Sequence, residues 1–472
     1  MRQSSSPHSL PNRRAPALAS AIPLNTAAIF TSEEQIQICS TMNRVAQIGY
    51  RVIAGLLAAS ALETIGAEGW PQYRGPTANG STPEKIQTAW PSGGPRQIWR
   101  TPTPAGFSTF AVAKGRAFTL ILRDVEGVPT EVCIALDGES GKELWATPLG
   151  FAKYDGGGDS GAPGNNGGDG PRSTPASDGD RVFVLSAPLI LYSLNAETGE
   201  ITWKKDLVRE HAAKNISWQN AASPVLDGNL LFVCSGGAGQ SLLCFHKATG
   251  AVIWKAESDR MTHATPTVTT IHGHRQVIFL TQAGLVAVVP GTGQVLWRHA
   301  FPFRTSTAAS PAVGGDIVYC SAGYGVGATA IRVSRQGSGW KATELWRKPN
   351  ELINHWSSPV CKDGHVYGLF GFKQWQENPL KCIELATGKE KWSRDGFGQG
   401  GTILVDGNVL ALAENGELVL VEGKPDAYRE LARHQAVSGK CWNNPAVANG
   451  RAYVRSTKEA VCLDLSVTTA QP

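Results

Sequence analysis

Chemically capable side chains recur at one repeated position in this sequence, three residues before a proline. The residues at this position are Arg172, Ala221, His263, Ala308, Trp356 and Trp442. A position that changes from alanine to a cation, an imidazole and an indole follows no common packing rule. Such groups can hold a planar or anionic ligand by stacking and hydrogen bonding. The alternative is that they merely fill a water-filled channel.

Three more residues, Trp218, His355 and Gln399, are expected close to the same rim of the central channel. With Arg172, His263, Trp356 and Trp442 they complete the set of candidate binding residues. We can place no catalytic set in the sequence and therefore assign no catalytic residue.

A Gly/Asp-rich insertion spans residues 151–170 and contains eight glycines between Asp155 and Gly170. Its oxygen-bearing side chains are Asp155, Asp159, Asn165, Asn166 and Asp169. Oxygen ligands on a pliable backbone suit Ca²⁺, which makes Asp155, Asp159 and Asp169 candidate calcium ligands. The stretch lacks the regular spacing of known calcium loops, and a mobile surface loop is the alternative.

The cysteines allow two interpretations. Eight of the nine remain if Cys39 is removed with a leader, and an even number in an exported chain suggests disulfides, with Cys234 and Cys244 as the best pair. However, Cys244, Cys382 and Cys462 occupy a repeated position that elsewhere holds Ala or Ser. This pattern favours cysteines that serve as small core residues.

The elements that must position these residues are repeats. A Ser/Thr-Gly turn followed four residues later by tryptophan recurs at Trp145, Trp203, Trp254, Trp297 and Trp392, and Trp346 fits with a longer insertion. Each unit also carries a Ser/Thr-Pro step and short apolar runs separated by Gly/Asp turns, which predicts four short strands. Sheets of this kind bury their faces by stacking around an axis, as in a β-propeller.

The chain ends set the predicted blade count. The last unit, from Asn444 to Leu465, lacks a strand with tryptophan, and Gln97-Ile98-Trp99-Arg100 near the start supplies one. The sequence therefore predicts an all-β, eight-bladed propeller of four-stranded antiparallel blades, closed by an N-terminal strand. Blade 7 is the weakest repeat, with Glu430-Leu431 where tryptophan is expected. Seven blades is the alternative.

The first 67 residues are expected to be a leader. Residues 1–41 are Ser-, Pro- and Ala-rich and are expected to be untranslated if synthesis starts at Met42, while residues 42–67 have the layout of a secretory signal peptide. The mature chain, residues 68–472, should then be exported to the periplasm or beyond. It contains no later run long enough for a membrane span. The net charge of +5 over 472 residues predicts no nucleic-acid partner.

The Ala-x-Thr-Gly-x-x-x-Trp unit resembles the repeat of the pyrroloquinoline quinone (PQQ) propeller superfamily. Trp70-Pro71-Gln72-Tyr73-Arg74-Gly75-Pro76 is similar to the start of secreted bacterial PQQ-like repeat proteins. The resemblance implies either a quinoprotein dehydrogenase or a non-catalytic scaffold such as the outer-membrane assembly lipoprotein. The sequence lacks the adjacent cysteine pair of the dehydrogenases, a covalent haem motif and the scaffold's lipidated cysteine.

We therefore expect a monomeric, non-catalytic binding or scaffold protein that uses its channel rim or blade loops. Its partner would be an envelope protein, a peptide or a polysaccharide. The alternative is a PQQ-dependent dehydrogenase that oxidises an alcohol or sugar, in which Ca²⁺ polarises the quinone and a carboxylate acts as base. In that case the candidate binding residues would contact PQQ.

Overall fold

A computed structural model describes residues 69–151, 170–372 and 378–467 of the chain. In these residues, 34 strands form eight sheets, and the single helix, α1, is one short turn at Leu207–His211. Each sheet contains four antiparallel strands that follow one another outwards from a central axis. The fold is the predicted eight-bladed β-propeller, and the seven-bladed alternative is wrong.

The first four blades use consecutive strands, and blade 1 has one extra strand on its inner edge. Blade 1 consists of β1 (Gly69–Trp70), β4 (Ala111–Ala113), β5 (Arg116–Val125), β6 (Val128–Asp137) and β7 (Glu143–Phe151). Blade 2 consists of β8 (Ala176–Ser177), β9 (Arg181–Leu185), β10 (Ile190–Asn195) and β11 (Ile201–Asp206). Blade 3 consists of β12 (Val225–Asp227), β13 (Leu230–Gly237), β14 (Gln240–His246) and β15 (Val252–Ala256). Blade 4 consists of β16 (Thr267–Ile271), β17 (His274–Thr281), β18 (Gly284–Val288) and β19 (Val295–Ala300).

The last four blades include two strands from the start of the chain. Blade 5 consists of β20 (Ala312–Gly314), β21 (Ile317–Ala322), β22 (Gly327–Gln336) and β23 (Gly339–Lys348). Blade 6 consists of β24 (Val360–Lys362), β25 (His365–Leu369), β26 (Leu380–Glu384) and β27 (Glu390–Arg394). Blade 7 consists of β2 (Ser81–Thr82), β28 (Gly401–Val405), β29 (Asn408–Leu412), β30 (Glu417–Val421) and β31 (Glu430–Gln435). Blade 8 consists of β32 (Ala446–Ala448), β33 (Arg451–Arg455), β34 (Glu459–Asp464) and, outermost, β3 (Arg96–Pro102).

The ring closes as the sequence predicts. Strand β3, from the start of the chain, pairs antiparallel with β34, the last strand of the chain, and Trp99 lies opposite Cys462. The hydrophobic core lies between neighbouring sheets, where for example Phe183, Phe232 and Phe279 of blades 2 to 4 join one buried cluster. Burial of both faces of each sheet explains why the strands are rich in apolar residues.

The repeated tryptophan and the repeated small residue are partners across the outer two strands. The opposed pairs are Ala135 with Trp145, Ser193 with Trp203, Cys244 with Trp254, Ala287 with Trp297, Ala330 with Trp346, Cys382 with Trp392 and Cys462 with Trp99. Blade 7 reverses the sizes, because Leu420 lies opposite Ala432. The residue at the tryptophan position of that blade is thus Ala432. The prediction placed this position at Glu430-Leu431 and was wrong, because a β-bulge shifts the register there.

Most of these indoles also dock on the next blade. The ring packs against the glycine of the next Ser/Thr-Gly turn, and its Nε1–H donates to a backbone carbonyl there. The docked pairs are Trp99 with Gly141, Trp145 with Gly199, Trp203 with Gly250, Trp254 with Gly293 and Trp346 with Gly388. Their Nε1 donors reach carbonyl oxygens of the next blade at 2.7 to 3.1 Å.

The Ser/Thr-Pro steps form a second link between blades, near the axis. At four of these steps a backbone N–H of one blade donates to the hydroxyl oxygen of the equivalent residue in the next blade. The links run from Thr109 to Thr174, from Thr174 to Ser223, from Ser223 to Thr265 and from Ser310 to Ser358, at 2.8 to 3.1 Å. The hydroxyl that the repeat requires is therefore a structural acceptor.

Residues 69–87, which we call the axial plug, cross the centre of the ring. Strand β1 pairs with β4 of blade 1, the side chain of Gln72 exchanges hydrogen bonds with the backbone of Leu226 in blade 3, and β2 pairs with β28 of blade 7. Trp70 is fully buried, and Gly75, at φ +77°, leaves no room for a Cβ above its ring. The Trp70–Pro76 motif thus fills the axis, a role that the sequence did not predict.

The proposed disulfide between Cys234 and Cys244 is wrong. Cys234 lies opposite Leu242, and Cys244 lies opposite Phe232, so the two cysteines are diagonal neighbours. Diagonal residues are roughly 7–8 Å apart, beyond the usual Cα spacing of a disulfide. All eight cysteines in the described residues are free thiols, and seven of them are buried. The described part of the chain contains no helix of the length and apolarity that a bilayer crossing requires.

Candidate functional site

One residue per blade occupies the repeated position three residues before the Ser/Thr-Pro proline or its replacement, which we call the rim position. Blades 1 and 7 have Phe110 and Thr402 in place of proline, so their rim residues are Phe107 and Gln399. Around the ring from blade 1 to blade 8 the rim residues are Phe107, Arg172, Ala221, His263, Ala308, Trp356, Gln399 and Trp442. All lie in loops that lead into the innermost strands, and therefore on one face of the propeller, the rim face.

Four aromatic rings form a stack on the rim face. Phe107 stacks on Trp442 with centroids 5.4 Å apart, Trp442 on Trp356 at 5.2 Å, and Trp356 on Phe372 at 5.5 Å, with interplanar angles between 22° and 29°. We call these four residues the ring stack. Offset stacking of this kind is favourable beyond the area that it buries. The ring stack links the rims of blades 8, 1 and 6.

Blade 7 permits Trp356 of blade 6 to reach Trp442 of blade 8. The loop that leads into blade 7 contains Gly398 and Gly400, and its rim side chain, Gln399, is 2% exposed. Trp442 is oriented by its Nε1–H, which donates to Glu414 Oε1 at 2.9 Å. The loop therefore places no bulky side chain between the two indoles.

A lysine lies beside the ring stack. The Nζ of Lys440 is 5.2 Å from the centroid of the Trp442 ring, within cation–π range. Burial lowers the pKa of Lys440, and the charge of Glu414 partly opposes this effect. The end of the stack on blade 8 thus combines a flat aromatic face with a cation and a carboxylate.

His355 and Tyr324 extend the aromatic cluster towards blade 5. The His355 ring is 4.7 Å from both Trp356 and Phe372, and Tyr324 is 4.5 Å from Phe372. The backbone N–H of Gly323 donates to Nδ1 of His355 at 3.1 Å, so Nδ1 acts as an acceptor. Tyr324 is 40% exposed, which makes it the side chain of this cluster most accessible to a partner.

The predicted polar residues form a second group, on blades 2 to 4. Arg172 Nη1 donates to the carbonyl of Trp218 at 3.0 Å, and His263 Nε2 donates to the carbonyl of Gln219 at 2.7 Å. Trp218 and Gln219 both have φ above +60°, an unusual conformation for two consecutive non-glycine residues. Burial lowers the pKa of His263 to about 4, and the nearby positive charge of Arg172 acts in the same direction. His263 is therefore neutral at pH 7.

A buried carboxyl group lies near Arg172. Glu131, on β6, is 1% exposed and accepts a hydrogen bond from the backbone of Ala187 through Oε2 at 3.0 Å. Burial raises the pKa of Glu131 to about 7, against the opposing effects of the Ala187 hydrogen bond and the charge of Arg172. Its Oε1 has no hydrogen-bond partner in the described residues.

The two groups are joined at one backbone atom. The N–H groups of Phe107 and Ser108 both donate to the carbonyl of Pro171, at 2.7 and 3.0 Å, and Pro171 precedes Arg172. The predicted residues thus come together in two sets. The first set lies at the ring stack and consists of Trp356, Trp442, His355 and Gln399. The second set lies around the backbone carbonyls of the two positive-φ residues, Trp218 and Gln219, and consists of Arg172, Trp218 and His263.

The ring stack and the described residues around it do not fit PQQ with calcium. Trp356 and Trp442 each already stack on two other rings, so a planar quinone would have to displace one of them. No group of three or more His, Cys, Asp or Glu side chains among the described residues is arranged to hold a metal ion. The calcium candidates Asp155, Asp159 and Asp169 lie outside the described residues, with Asn165 and Asn166.

Several site residues were missed from the sequence. Phe107 has the rim spacing, but Phe110 replaces the proline that marks it. Phe372 and Tyr324 lie in loops between the second and third strands of blades 6 and 5, which come to the rim face only in the folded ring. Glu131 is one charged residue within an apolar strand, a signal that the sequence did contain.

Comparison with known proteins places the chain among the PQQ-type propellers. A curated relative, outer membrane protein assembly factor BamB of Moranella endobia (strain PCIT), is 24% identical over 322 residues, which is 67% of each chain. The crystal structure of BamB from Moraxella catarrhalis has a TM-score of 0.55 and 13% identity and covers 80% of this chain and 99% of its own. Quinohemoprotein alcohol dehydrogenase from Comamonas testosteroni has a TM-score of 0.57 and 13% identity, with 86% and 82% covered.

The two solved structures show the fold alone at this identity. The family assignment comes from a family model, PQQ_2, whose description is outer membrane protein assembly factor BamB. This model matches residues 129–394, more than half of the chain. The chain therefore belongs to the PQQ_2 family, the family of outer membrane protein assembly factor BamB.

Proposed function

We propose that this chain is an exported, non-catalytic propeller scaffold that holds a protein of the bacterial envelope on its rim face. The observation that carries the proposal is the ring stack, in which aromatic side chains of three blades cover one another. This arrangement gives the rim face a rigid aromatic surface with a lysine and a carboxylate at its edge. Aromatic residues framed by polar groups are typical of the centre of protein interfaces.

The proposed process is the assembly of outer-membrane proteins, which the name of the relative from Moranella endobia indicates. The leader, residues 1–67, is proposed to direct export, which would place the propeller in the periplasm. The partner would then be a component of the outer-membrane assembly machinery. The experiment below must distinguish this partner from a peptide or a polysaccharide bound on the same face.

Site-specific photo-cross-linking in the source bacterium tests the binding face. A photoreactive phenylalanine at Tyr324, which is exposed on the rim face, should cross-link to an outer-membrane assembly protein. The matched control is the same group at Lys389, exposed in the turn between the outer two strands of blade 6 on the opposite face. Cross-links of equal yield from both positions, or to polysaccharide alone, would contradict the proposal.

Loss of function tests the process. Deletion of the gene should reduce folded outer-membrane β-barrel proteins, measured by their heat-modifiable mobility in gels. The wild-type chain should restore them, whereas a Trp356→Ala/Trp442→Ala variant that keeps its melting temperature within a few degrees should not. Normal β-barrel levels in the deletion strain would overturn this part of the proposal.

The dehydrogenase alternative predicts a different result in a direct titration. If the chain is a scaffold, PQQ with Ca²⁺ at up to about 100 µM should leave the melting temperature of the purified protein unchanged, because only a ligand that binds the folded state stabilises it. A saturable rise in melting temperature would revive the quinoprotein interpretation and would justify a screen of alcohols and sugars.

A further inference from the structure

Arg74 is a buried cation at the centre of the axial plug. Its residue is 2% exposed, and its Nη2 donates to the carbonyl oxygens of Asn79 at 2.8 Å and Pro359 at 2.9 Å. The first of these bonds closes a loop within the plug, and the second ties the plug to blade 6. A guanidinium keeps its charge inside proteins, so a full positive charge lies on the propeller axis.

Within the described residues, no carboxylate forms an ion pair with Arg74. The titratable groups that act on Arg74 are Tyr73 and Cys361, a phenol and a thiol, and burial raises the pKa of Cys361 to about 12. Neither group is a carboxylate, and burial keeps the Cys361 thiol protonated at neutral pH. Burial of a charge without a partner is strongly unfavourable, so a counter-charge at this position is expected.

Arg74 also has unused hydrogen-bond donors. Its Nε and Nη1 are buried and have no acceptor in the described residues. The third buried polar atom of the plug without a partner is Nε1 of Trp70, which is also an N–H donor. Buried polar groups are nearly always hydrogen-bonded, so the two unpartnered donors of the Arg74 guanidinium call for an acceptor.

Arg455 is a second buried arginine, and protein groups alone accept hydrogen bonds from all of its nitrogens. It is 1% exposed and has no acidic partner either, but all three of its nitrogens donate. Its acceptors are the carbonyl oxygens of Ser456, Leu120 and Ala105 and the hydroxyl of Thr119. Arg116 and Arg181 each have one buried nitrogen, Nε, without a partner, whereas Arg74 has two, so its coordination is the least complete of these four arginines.

The residues that precede Arg74 and Pro359 are also hydrogen-bonded to each other, which adds a second tie between the plug and blade 6. The Tyr73 hydroxyl bonds Ser358 Oγ at 3.0 Å, and the Ser310 backbone N–H donates to the same oxygen. The hydroxyl of Ser310 is buried and has no partner in the described part of the chain. The charged guanidinium with its two free N–H donors is a donor set suited to an anion.

We propose that the axial plug holds a small inorganic anion of the chloride class against Arg74. One guanidinium calls for one negative charge, and the near-complete burial of Arg74 favours a monatomic ion over a phosphate or an organic acid. The ion would enter as the plug closes over the axis during folding. Because Arg74 also donates a hydrogen bond to Pro359 of blade 6, an ion bound to Arg74 would stabilise the attachment of the plug to the ring.

Refolding in defined salts tests the proposal. Protein unfolded in urea and refolded in sodium gluconate should melt at a lower temperature than protein refolded in sodium chloride or bromide at equal ionic strength. The difference should saturate with halide concentration, as linkage requires. Arg74→Met should abolish the halide dependence, and Arg455→Met, a matched change at the other buried arginine, should retain it.

A second measurement needs no variant and settles the case if Arg74→Met fails to fold. Crystals of the wild-type protein refolded in bromide should show an anomalous peak within hydrogen-bond distance of Arg74 Nε or Nη1. Only water at these nitrogens, with no halide dependence of the melting temperature, would overturn the proposal. Failure of this test would leave the proposed scaffold function unaffected, because the axis and the rim face are tested independently.

Discussion

In most repeats a single tryptophan connects two blades, and this explains where blade 7 departs from the pattern. The indole of one blade docks on the Ser/Thr-Gly turn between the outer two strands of the next. Blade 8 has no such turn, because its outermost strand, β3, comes from the start of the chain. Blade 7 therefore has no turn on which to dock an indole, and it has Ala432 opposite Leu420.

Gly293→Ala should destabilise the protein because the added Cβ would lie 2.6 Å from the docked ring of Trp254. The matched control is Gly273→Ala, which has a similar positive φ but no atom within 4 Å of the added Cβ. The difference between the two variants isolates the ring contact and should be about 1–3 kcal/mol, as for overpacked cores. Urea unfolding measures it, and equal losses would show that the indole does not depend on that glycine.

Glu131 should make stability depend on pH. Its folded pKa of about 7 is above the unfolded value of 4.5, so the folded state holds the proton more tightly. The stability that this proton contributes is present at low pH and is lost as pH rises through 7, by up to about 3 kcal/mol. Glu131→Gln should therefore raise the melting temperature at pH 8 and change it little at pH 5. Glu197→Gln, in an exposed turn, is the control and should have no effect at either pH.

Side-chain roles could be predicted from the sequence as far as the repeat itself extends. The tryptophan and its small partner share a fixed spacing, so both positions were identified. The docking of Trp254 on Gly293 could not be, because it depends on which blade is the neighbour. The rim residue Phe107 was lost for a simpler reason, since Phe110 replaces the proline that marks the position elsewhere.

Among the described elements, the two strands of the axial plug belong to no repeat. Strands β1 and β2 have two residues each, too few for any periodicity, so nothing in their sequence marks them as strands. The four strands of each blade were predictable because apolar runs alternate with Gly/Asp turns. The long hairpin of β22 and β23 explains why Trp346 is displaced from the regular spacing.

A chain that begins at residue 88 should still form the eight sheets, because β3 remains to close blade 8. We expect it to melt at a lower temperature, since fully buried Trp70 alone should account for about 3–5 kcal/mol. Hydrogen exchange should show faster exchange in β4, β12 and β28, which border the plug. The outer strand β15 should keep its protection, and uniform loss of protection in all strands would mean that the plug is needed for the ring itself.

The ring of the whole molecule is closed by one strand, β3, which precedes blade 1 in the chain and completes blade 8. Arg96 lies opposite Asp464, so the start of β3 is adjacent to the end of β34. A permuted chain that runs from residue 103 to residue 467 and continues through a short turn into residues 96–102 would contain the same eight sheets. Its ring, however, would be closed only by side-chain contacts between blades 8 and 1.

The permuted chain should unfold about tenfold faster than the chain that begins at residue 88, if the strand exchange adds about 1.4 kcal/mol to the unfolding barrier. The two proteins have nearly the same residues, so the comparison isolates the closure. Stopped-flow dilution into urea, followed by tryptophan fluorescence, measures the rates. Equal rates would show that contacts between blades are sufficient to close the ring.

The two kinds of repeated link between blades both run in one direction around the ring. Near the axis, an amide of one blade donates to a hydroxyl of the next, and at the periphery an indole donates to a carbonyl of the next. An opened ring would therefore have two complementary ends, one with unused donors and one with unused acceptors. Because such ends join head to tail, opened molecules could add to one another in an open-ended chain. Closure thus also protects the protein against growth into filaments.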